Sequence, residues 1–455
     1  MTQNKVEYRN RYYFFNVIKI CCIFFVFFFH ATRVFDADNW HIKNPVRGVL
    51  GSFFLFDLGM AVMPLFFVVS GASVWMSLQK RSLTTFMMNL FKRFLLPLIF
   101  GCIILAWPQV YLERVSHGEY QGSLWSFFPY YFEGFYGFGG NFAWTGLHLW
   151  YLGMLFIFSM ILLPFFFTGL KLFKSPFFQK LATSPLIWML IVLITVYPVW
   201  KFSPSGIWGV RIWGGWNFTE HLFFFASGFF LFSNNEFIDK ISRFRWGFLA
   251  LAIVLTVLVL YWRLDDFQPG FRSRYFTFQA IIKAIACWSW ICSMLAITYK
   301  HFNVQTKIID NLSSLLLPFY ILNQPIMIFI AFYVVNWEVN NISKFIIILI
   351  GSLALTMLLY DIIKRFELTR WLFGIPDKKS VRRVNNIVRR SRKINIPASI
   401  SVEDTIASQS QQPQLIHRTN RLIEPEQFKI IKTFGFKTFA QFLQRINLRI
   451  FNRDL

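Results

Sequence analysis

Charged residues are scarce in this sequence, and their scarcity limits the classes of protein to which it can belong. Only 15% of the 455 residues are Asp, Glu, Lys or Arg, whereas 56% are hydrophobic and 59 are Phe. Soluble globular domains have about 25% charged residues. A water-soluble domain is therefore excluded, and the sequence predicts an all-α integral membrane protein.

Cysteine is also rare. The five Cys residues all lie inside apolar runs, where they behave as small hydrophobic side chains, and none has the spacing of a metal site or of a disulfide framework. A cleavable signal peptide is not indicated, because the first apolar run is too long for one and no small-residue cleavage site follows it. We therefore expect no metal, no bound cofactor and a first helix that stays with the protein.

Long apolar runs are what the sequence has in abundance. A helix of about 20 residues spans the hydrocarbon core of a bilayer. Segments of that length predict ten transmembrane helices, at residues 12–32, 54–79, 94–112, 146–168, 185–202, 218–233, 246–262, 276–299, 312–334 and 342–363.

Positive charge is distributed unevenly among the connections between these segments. The formal net charge is +24, and the residues from Lys364 to Leu455 contribute 19 Lys and Arg against 7 Asp and Glu. The start of the chain and every second connection after it are also rich in Lys and Arg, which is typical of cytoplasmic connections. Both termini are therefore predicted to be cytoplasmic.

The chain changes character after residue 375. A basic run at 378–393 precedes a polar stretch that predicts a disordered linker, and Lys and Arg then alternate with Phe, Ile and Leu at helical spacing. The last pattern predicts a basic amphipathic helix on the inner leaflet. The predicted organisation is a membrane domain at 1–375, a basic and then disordered linker at 376–424, and an amphipathic segment at 425–455. No nucleic-acid-binding motif accompanies this charge, so nucleic acid is not an expected partner.

The first apolar segment carries Lys19 and ends near His30. In an α-helix, eleven residues turn through about 1100°, which is three turns and a small remainder, and rise about 16 Å. The two side chains therefore share one helix face, and Asn16 lies on the same face one turn earlier. Ionisable groups in a membrane helix are costly, so this pair predicts a functional site.

Three further groups of polar residues interrupt the apolar segments. His148 lies at the outer end of the fourth predicted helix, Lys92 and Arg93 open the third on the cytoplasmic side, and Asn323 and Gln324 lie inside the ninth. Each has a structural explanation, as a hydrated interface residue, a cytoplasmic positive charge or a satisfied kink. Together they indicate an enzyme, because cations at the inner mouth suit an anionic donor and a neutral imidazole can take a proton from a hydroxyl.

Aromatic residues are concentrated in the predicted outer connections, above all in residues 113–145. Tryptophan near a membrane surface usually anchors the protein there, and aromatic rings also stack on sugars, so both interpretations stay open. In the first outer connection Trp40 precedes His41, and we consider both as substrate contacts.

Several of these segments resemble those of the membrane acyltransferase-3 family. In that family an Arg or Lys stands eleven positions before a His in the first helix, and Lys19 and His30 match this spacing. Other similar segments are MPLFFVVSGASVWMSL (63–78), KRFLLPLIFG (92–101), HLWYL (148–152) and FYILNQPI (319–326). The order of Trp40-His41, HLWYL and YDIIKRFELTRWLFG (360–374) is most similar to a branch that succinylates periplasmic glucans.

The resemblance covers about residues 8–375 and implies about ten helices and a set of roles. His30 would be the catalytic histidine, Lys19 its motif partner and Arg93 a contact of the acyl donor. We add His148 as a catalytic candidate, Lys19 and Lys92 as donor contacts, and the following acceptor contacts: Trp40, His41, Trp150, Tyr151, Asn323 and Gln324. Four residues depart from the family pattern: Asn16 stands for Asp, Lys19 for Arg, Leu90 for the first residue of an Arg-x-x-Arg pair, and Asn323 for His.

The residues and the resemblance together predict a membrane-bound O-acyltransferase of the bacterial inner membrane. Acyl-CoA would bind from the cytoplasm as co-substrate, and an acetyl or succinyl group would pass to a hydroxyl of an envelope glycan or glycolipid outside. His30 would deprotonate that hydroxyl or carry the acyl group itself.

Two other functions are compatible with part of the sequence. A non-enzymatic transporter or flippase for an envelope glycan or lipid also places polar groups within the membrane. The spacing of Lys19 and His30, and the absence of paired short half-helices, favour the enzyme. A scaffold anchored by the basic tail would account for the tail but not for His30.

Overall fold

The computed structural model describes residues 12–48, 59–202, 217–264 and 269–375, and these residues form helices and connections without a β-strand. The predicted linker and amphipathic segment, as well as most of the outer connection at 203–216, lie outside the described residues. The helices are α1 (Phe14–Arg33), α2 (Gly59–Leu78), α3 (Leu83–Ser116), α4 (Leu124–Tyr130), α5 (Leu147–Leu172), α6 (Pro176–Leu181), α7 (Pro185–Lys201), α8 (Phe218–Leu231), α9 (Glu236–Arg243), α10 (Arg245–Leu264), α11 (Arg274–Phe302), α12 (Lys307–Val334), α13 (Asn341–Ile363) and α14 (Glu367–Leu372).

All ten predicted apolar segments contain an apolar helix, so the all-α membrane fold class is confirmed. Eight of these helices are long and apolar enough to cross a membrane. The other two, α7 and α8, have 17 and 14 residues. A 14-residue helix rises about 21 Å, which is less than the roughly 30 Å of a hydrocarbon core. The number of crossings and the side on which the termini lie stay predictions.

Helix α3 begins earlier than the sequence predicts, at Leu83 rather than near residue 94. Ser82 caps it, because its Oγ accepts a hydrogen bond from the backbone N–H of Thr85 (3.4 Å). Two π-helical segments, Phe91–Leu95 and Gly101–Leu105, widen the helix. Lys92 and Arg93 consequently lie inside α3, not at its start.

Helices α2 and α8 cross with their backbones in contact. A Cβ added to Gly71 would lie 1.9 Å from the carbonyl oxygen of Phe225, and one added to Gly228 would lie 2.0 Å from that of Val68. Such an approach is possible only where a residue lacks a side chain. Gly71 of α2 and Gly228 of α8 thus have a structural role where the two helices cross.

The core beside this crossing is built from phenylalanine. Phe166 of α5 stacks on Phe229 of α8 with ring centroids 3.7 Å apart and planes 2° from parallel. Phe67 of α2 contacts the rings of Tyr151 and Phe158 at 5.0 and 5.5 Å. These contacts fix the positions of α2, α5 and α8 relative to one another.

The connection between α3 and α5 folds over the end of α3 that carries Ser116. Phe127 of α4 and the neighbouring Tyr131 are fully buried, and the Tyr131 hydroxyl donates a hydrogen bond to the carbonyl of Cys102 (2.6 Å). This packing brings Tyr136 to the same end of the bundle as His30, which we call the His30 end.

Candidate active site

A cavity of about 370 Å³ penetrates the bundle between α1, α2, α3, α5 and α12. Three cations line it: Lys19, Arg81 and Arg93. Lys19 donates a hydrogen bond to Ser73 Oγ (3.4 Å). Within the described parts of the chain, no carboxylate forms an ion pair with any of the three. Cations left unpaired in a largely apolar cavity favour an anionic ligand.

The structure brings Lys19 and Arg93 together but leaves Lys92 apart. Both side chains are exposed, but Arg93 lines the cavity and Lys92 is not among the lining residues. Successive residues on a helix point about 100° apart, so only one of these neighbours can face the cavity. Arg81 is the third cation that lines the cavity. It was not predicted as a site residue, because its distance from Arg93 depends on how α2 and α3 meet.

The cavity continues toward the middle of the bundle. Tyr151 lines it and shares a hydrogen bond with Ser70 Oγ (2.8 Å). Asn323 lines its far wall. Trp150 packs among core aromatics, with ring centroids 6.3 Å from Phe67 and 6.1 Å from His221. Tyr151 and Asn323 thus line the cavity and Trp150 does not, and contact of these residues with the acceptor stays a prediction.

His30 lies beside Asn323, close enough for the two side chains to interact. The Asn323 amide N–H groups donate to the carbonyls of Phe319 and Tyr320, both at 2.9 Å, and this fixes which way the amide points. Among the described residues, His30 Nδ1 and Asn323 Oδ1 are buried polar atoms without a hydrogen-bond partner. Leaving such atoms without a partner is costly in a folded protein, and a ligand that forms hydrogen bonds with them would remove that cost.

His148 approaches from the start of α5. Its Nε2 donates to the carbonyls of Tyr320 and Ile321 at 3.1 and 3.2 Å. The Ile321 carbonyl is free to accept because Pro325, four residues later, has no N–H. His148 Nδ1 is buried and, within the described residues, has no hydrogen-bond partner. His148 is therefore anchored to the proline break of α12, at residues two and three positions before Asn323, the neighbour of His30.

His41, the third member of this histidine cluster (His30, His41 and His148), is held by a carboxylate. Its Nδ1 is paired with Glu113 Oε2 of α3. The Tyr136 hydroxyl donates to both oxygens of Glu113, at 2.9 Å each. Burial, together with the Glu113 charge, raises the pKa of Tyr136, so the phenol keeps its proton and remains a donor.

The opposite side of the His41 ring faces the amide of Gln324, which also contacts Gln109. Gln324 Nε2 lies 3.4 Å from His41 Nε2 and 3.4 Å from Gln109 Oε1. The Trp40 ring packs against both imidazoles, with centroids 6.3 Å from His30 and 5.4 Å from His41. Trp40 and Gln324, both predicted as substrate contacts, therefore lie directly against the histidine cluster.

Glu113, Gln109 and Tyr136 were not singled out from the sequence. One signal was available, since Gln109 and Glu113 stand four residues apart and so share a face of α3. Tyr136 had none, because it lies in a connection whose conformation depends on packing against α3.

Comparison with known proteins identifies the family of the chain. The family model described as "Acyltransferase domain" matches residues 12–361. The chain is 22% identical over 388 residues to the Glucans biosynthesis protein C of Salmonella schwarzengrund (strain CVM19633) and to that of Salmonella heidelberg (strain SL476). Each alignment covers 81% of this chain and 96% of the relative. No solved structure matches. The chain belongs to the acyltransferase-3 family, as a member with multiple membrane-spanning helices.

Proposed function

We propose that this protein is an O-acyltransferase that moves an acyl group from cytoplasmic acyl-CoA to a hydroxyl of an envelope glycan or glycolipid on the outer side of the bacterial inner membrane. One observation supports this above all others. A cavity whose three cations form no ion pair with a described carboxylate leads to Asn323, and beside Asn323 lies His30, whose Nδ1 has no hydrogen-bond partner within the described residues.

The cations suit the donor end of this route. Arginine pairs with phosphate through two parallel hydrogen bonds, and acyl-CoA carries several phosphates. Arg81 and Arg93 are exposed to solvent where they line the cavity, while Lys19 lies deeper, between Ser73 and the middle of the bundle. The long pantetheine arm would follow the cavity and bring the thioester toward Asn323 and His30.

The histidine cluster suits the transfer itself. His30 Nδ1 can remove the proton of an acceptor hydroxyl or attack the thioester carbonyl, and either step needs a free lone pair. The relatives are named for glucans, so we propose a glucan as the acceptor. Acetyl and succinyl groups both remain candidates for transfer.

Incubating the purified full-length protein with labelled acetyl-CoA or succinyl-CoA and glucose oligosaccharides tests this function. We expect loss of the thioester and appearance of the label as an ester on the saccharide. A transporter or flippase would leave both thioesters intact.

Arg93→Ala is expected to weaken donor binding selectively. A charged hydrogen bond contributes about 1.5–3 kcal/mol, so KM for acyl-CoA should rise roughly 10- to 100-fold with little change in kcat. Lys92→Ala is the matched control, because the neighbouring side chain does not line the cavity. Initial rates over a range of acyl-CoA concentrations measure both effects. Equal increases in KM for the two variants would contradict the placement of the donor.

The distribution of Lys and Arg predicts the sidedness of the site. Reporters fused after Gly118 and Gly270 are expected to be active on the periplasmic side, and those fused after Gln79 and Phe302 on the cytoplasmic side. This arrangement puts the His30 end outside and Arg81 inside. A cytoplasmic result after Gly118 would reverse the direction of transfer that we propose.

A further inference from the structure

We propose that the histidine cluster divides the reaction between two imidazoles: His30 carries the acyl group, and His41, oriented by Glu113, is the general base that deprotonates the acceptor hydroxyl. This inference rests on the proposed acyl transfer and adds a second catalytic residue and a defined order of steps. It follows from the different partners of the two rings.

His41 has the surroundings of a general base. Of the three imidazoles in the cluster, it alone is paired with a carboxylate among the described residues. A carboxylate on Nδ1 holds the proton there, fixes the ring and leaves the lone pair on Nε2. Glu113 is itself held by the Tyr136 hydroxyl through both oxygens, so its position is set before any ligand arrives.

The free face of His41 is only weakly occupied. Gln324 Nε2 approaches His41 Nε2 and Gln109 Oε1 at 3.4 Å each, beyond the usual range of strong N–H donors. A ligand hydroxyl can replace that contact, donate to His41 Nε2 and accept from the Gln324 amide. The pair of His41 and Glu113 is 8% and 7% exposed, so the proton transfer would take place away from bulk water.

His30 has the surroundings of an acyl carrier instead. No carboxylate in the described residues orients its ring, and its Nδ1 has no partner there. Its neighbour Asn323 lines the donor cavity, although His30 itself does not. Neither His41 nor Gln324, the amide that faces His41, lines the cavity. The thioester would therefore reach His30 first, and the acceptor would reach it from the side of His41.

The two steps balance. First, His30 Nδ1 attacks the thioester carbonyl, the C–S bond breaks, and the proton of the other ring nitrogen passes to the departing sulfur to give free CoA and an acyl-imidazole. Second, the acceptor oxygen attacks the acyl carbon while His41 Nε2 takes its proton. The C–N bond then breaks, its electron pair returns to His30, and His41 passes the proton to the ring of His30. Both imidazoles end neutral and the ester leaves.

The two half-reactions can be measured separately on the full-length protein in lipid nanodiscs. Quenched-flow samples with acetyl-CoA or succinyl-CoA give CoA released without an acceptor, and samples with glucose oligosaccharides give ester formed. CoA is measured by chromatography, because a thiol reagent would also react with the exposed Cys21. The variants are His30→Ala, His41→Ala, Glu113→Gln and Glu113→Asp, and His117→Ala is the control because this exposed histidine lies outside the cluster.

We expect wild-type protein to release about one CoA per chain in a burst without acceptor, as a covalent intermediate requires. His41→Ala and Glu113→Gln should keep the burst and lose ester formation, His41→Ala by about 10²- to 10⁴-fold. Added imidazole should restore part of the ester formation in His41→Ala, and Glu113→Asp should retain more than Glu113→Gln. His30→Ala should lose both half-reactions, without recovery in imidazole.

Several results would overturn the proposal. Ester formation without a burst of CoA in wild-type protein would contradict the acyl-carrier role of His30. Near-normal ester formation in His41→Ala would contradict the general-base role of His41. Equal loss of the burst and of ester formation in His41→Ala, without rescue by imidazole, would contradict the separation of the two steps. Retention of the burst shows that a variant is folded, so failure of ester formation is then chemical. Absence of both half-reactions in wild-type protein with either donor would instead reject the acyltransferase function itself.

Discussion

Acyl transfer is expected to disappear when His30 is replaced by Ala, while the amount of protein in the membrane stays unchanged. A general base contributes about 10²- to 10⁴-fold to a rate, and loss of an acyl carrier would remove the reaction altogether. The fold should tolerate the change, because His30 Nδ1 makes no hydrogen bond within the described residues that Ala would break. Ester formation on glucose oligosaccharides, together with immunoblots of membranes, measures the two quantities.

His117→Ala provides the control for this substitution. His117 follows α3 and is exposed, so its loss should change neither transfer nor protein level. Transfer by His30→Ala at near the wild-type rate would show that the unpartnered nitrogen of His30 does not take part in the chemistry. A similar loss in both variants would point to a general effect of removing a histidine near this end of the bundle.

Gly71→Ala and Gly228→Ala are expected to cause the largest loss of stability among single small substitutions in the bundle. The new methyl group would lie 1.9 Å from a backbone carbonyl oxygen in Gly71→Ala and 2.0 Å from one in Gly228→Ala. A backbone cannot move aside as a flexible side chain can. Overpacking costs about 1–3 kcal/mol even against side chains. The melting temperature of the purified protein should fall by several degrees, or the protein should fail to accumulate.

Gly247→Ala is the matched control for these two glycines. It lies in α10, and an added Cβ there would have no neighbour within 4 Å. Because Ala favours a helix over Gly by up to about 1 kcal/mol, this variant should melt at the same temperature or slightly higher. Thermal unfolding of the three variants in one detergent compares them directly. Unchanged melting of Gly71→Ala would mean that α2 and α8 do not cross as closely as described.

The positions of the apolar helices were predictable because a bilayer imposes a simple requirement on the chain. Apolar runs of about 20 residues are sufficient to identify a membrane helix, whatever its neighbours. Boundaries were less predictable, as α3 shows. Its polar first turns carry Thr84, Thr85 and Asn89 and do not look like a membrane segment, yet Ser82 caps them into the same helix.

Single site residues were predictable where they interrupt apolar segments, but their relation in space was predictable only where one helix carries both. Lys19 and His30 were found because helical geometry alone puts them on one face of α1. Lys92 and Arg93 were both predicted as donor contacts, and only the structure shows that a shift of one residue turns Lys92 away from the cavity. The placement of Trp150 was not predictable, because no sequence pattern distinguishes an aromatic ring that lines a cavity from one that packs against Phe67.

The sequence by itself determined that this is a helical membrane protein with a cation and an imidazole on one face of its first helix. Only the tertiary structure decided which groups surround them: Arg81 beside Arg93 in one cavity, Asn323 between that cavity and His30, and Glu113 on His41. The reason is physical. A position along one helix is fixed by local geometry, whereas contacts between residues as far apart as His41, Glu113 and Gln324 depend on how α3 and α12 rotate and pack, with their π-helical segments and proline breaks.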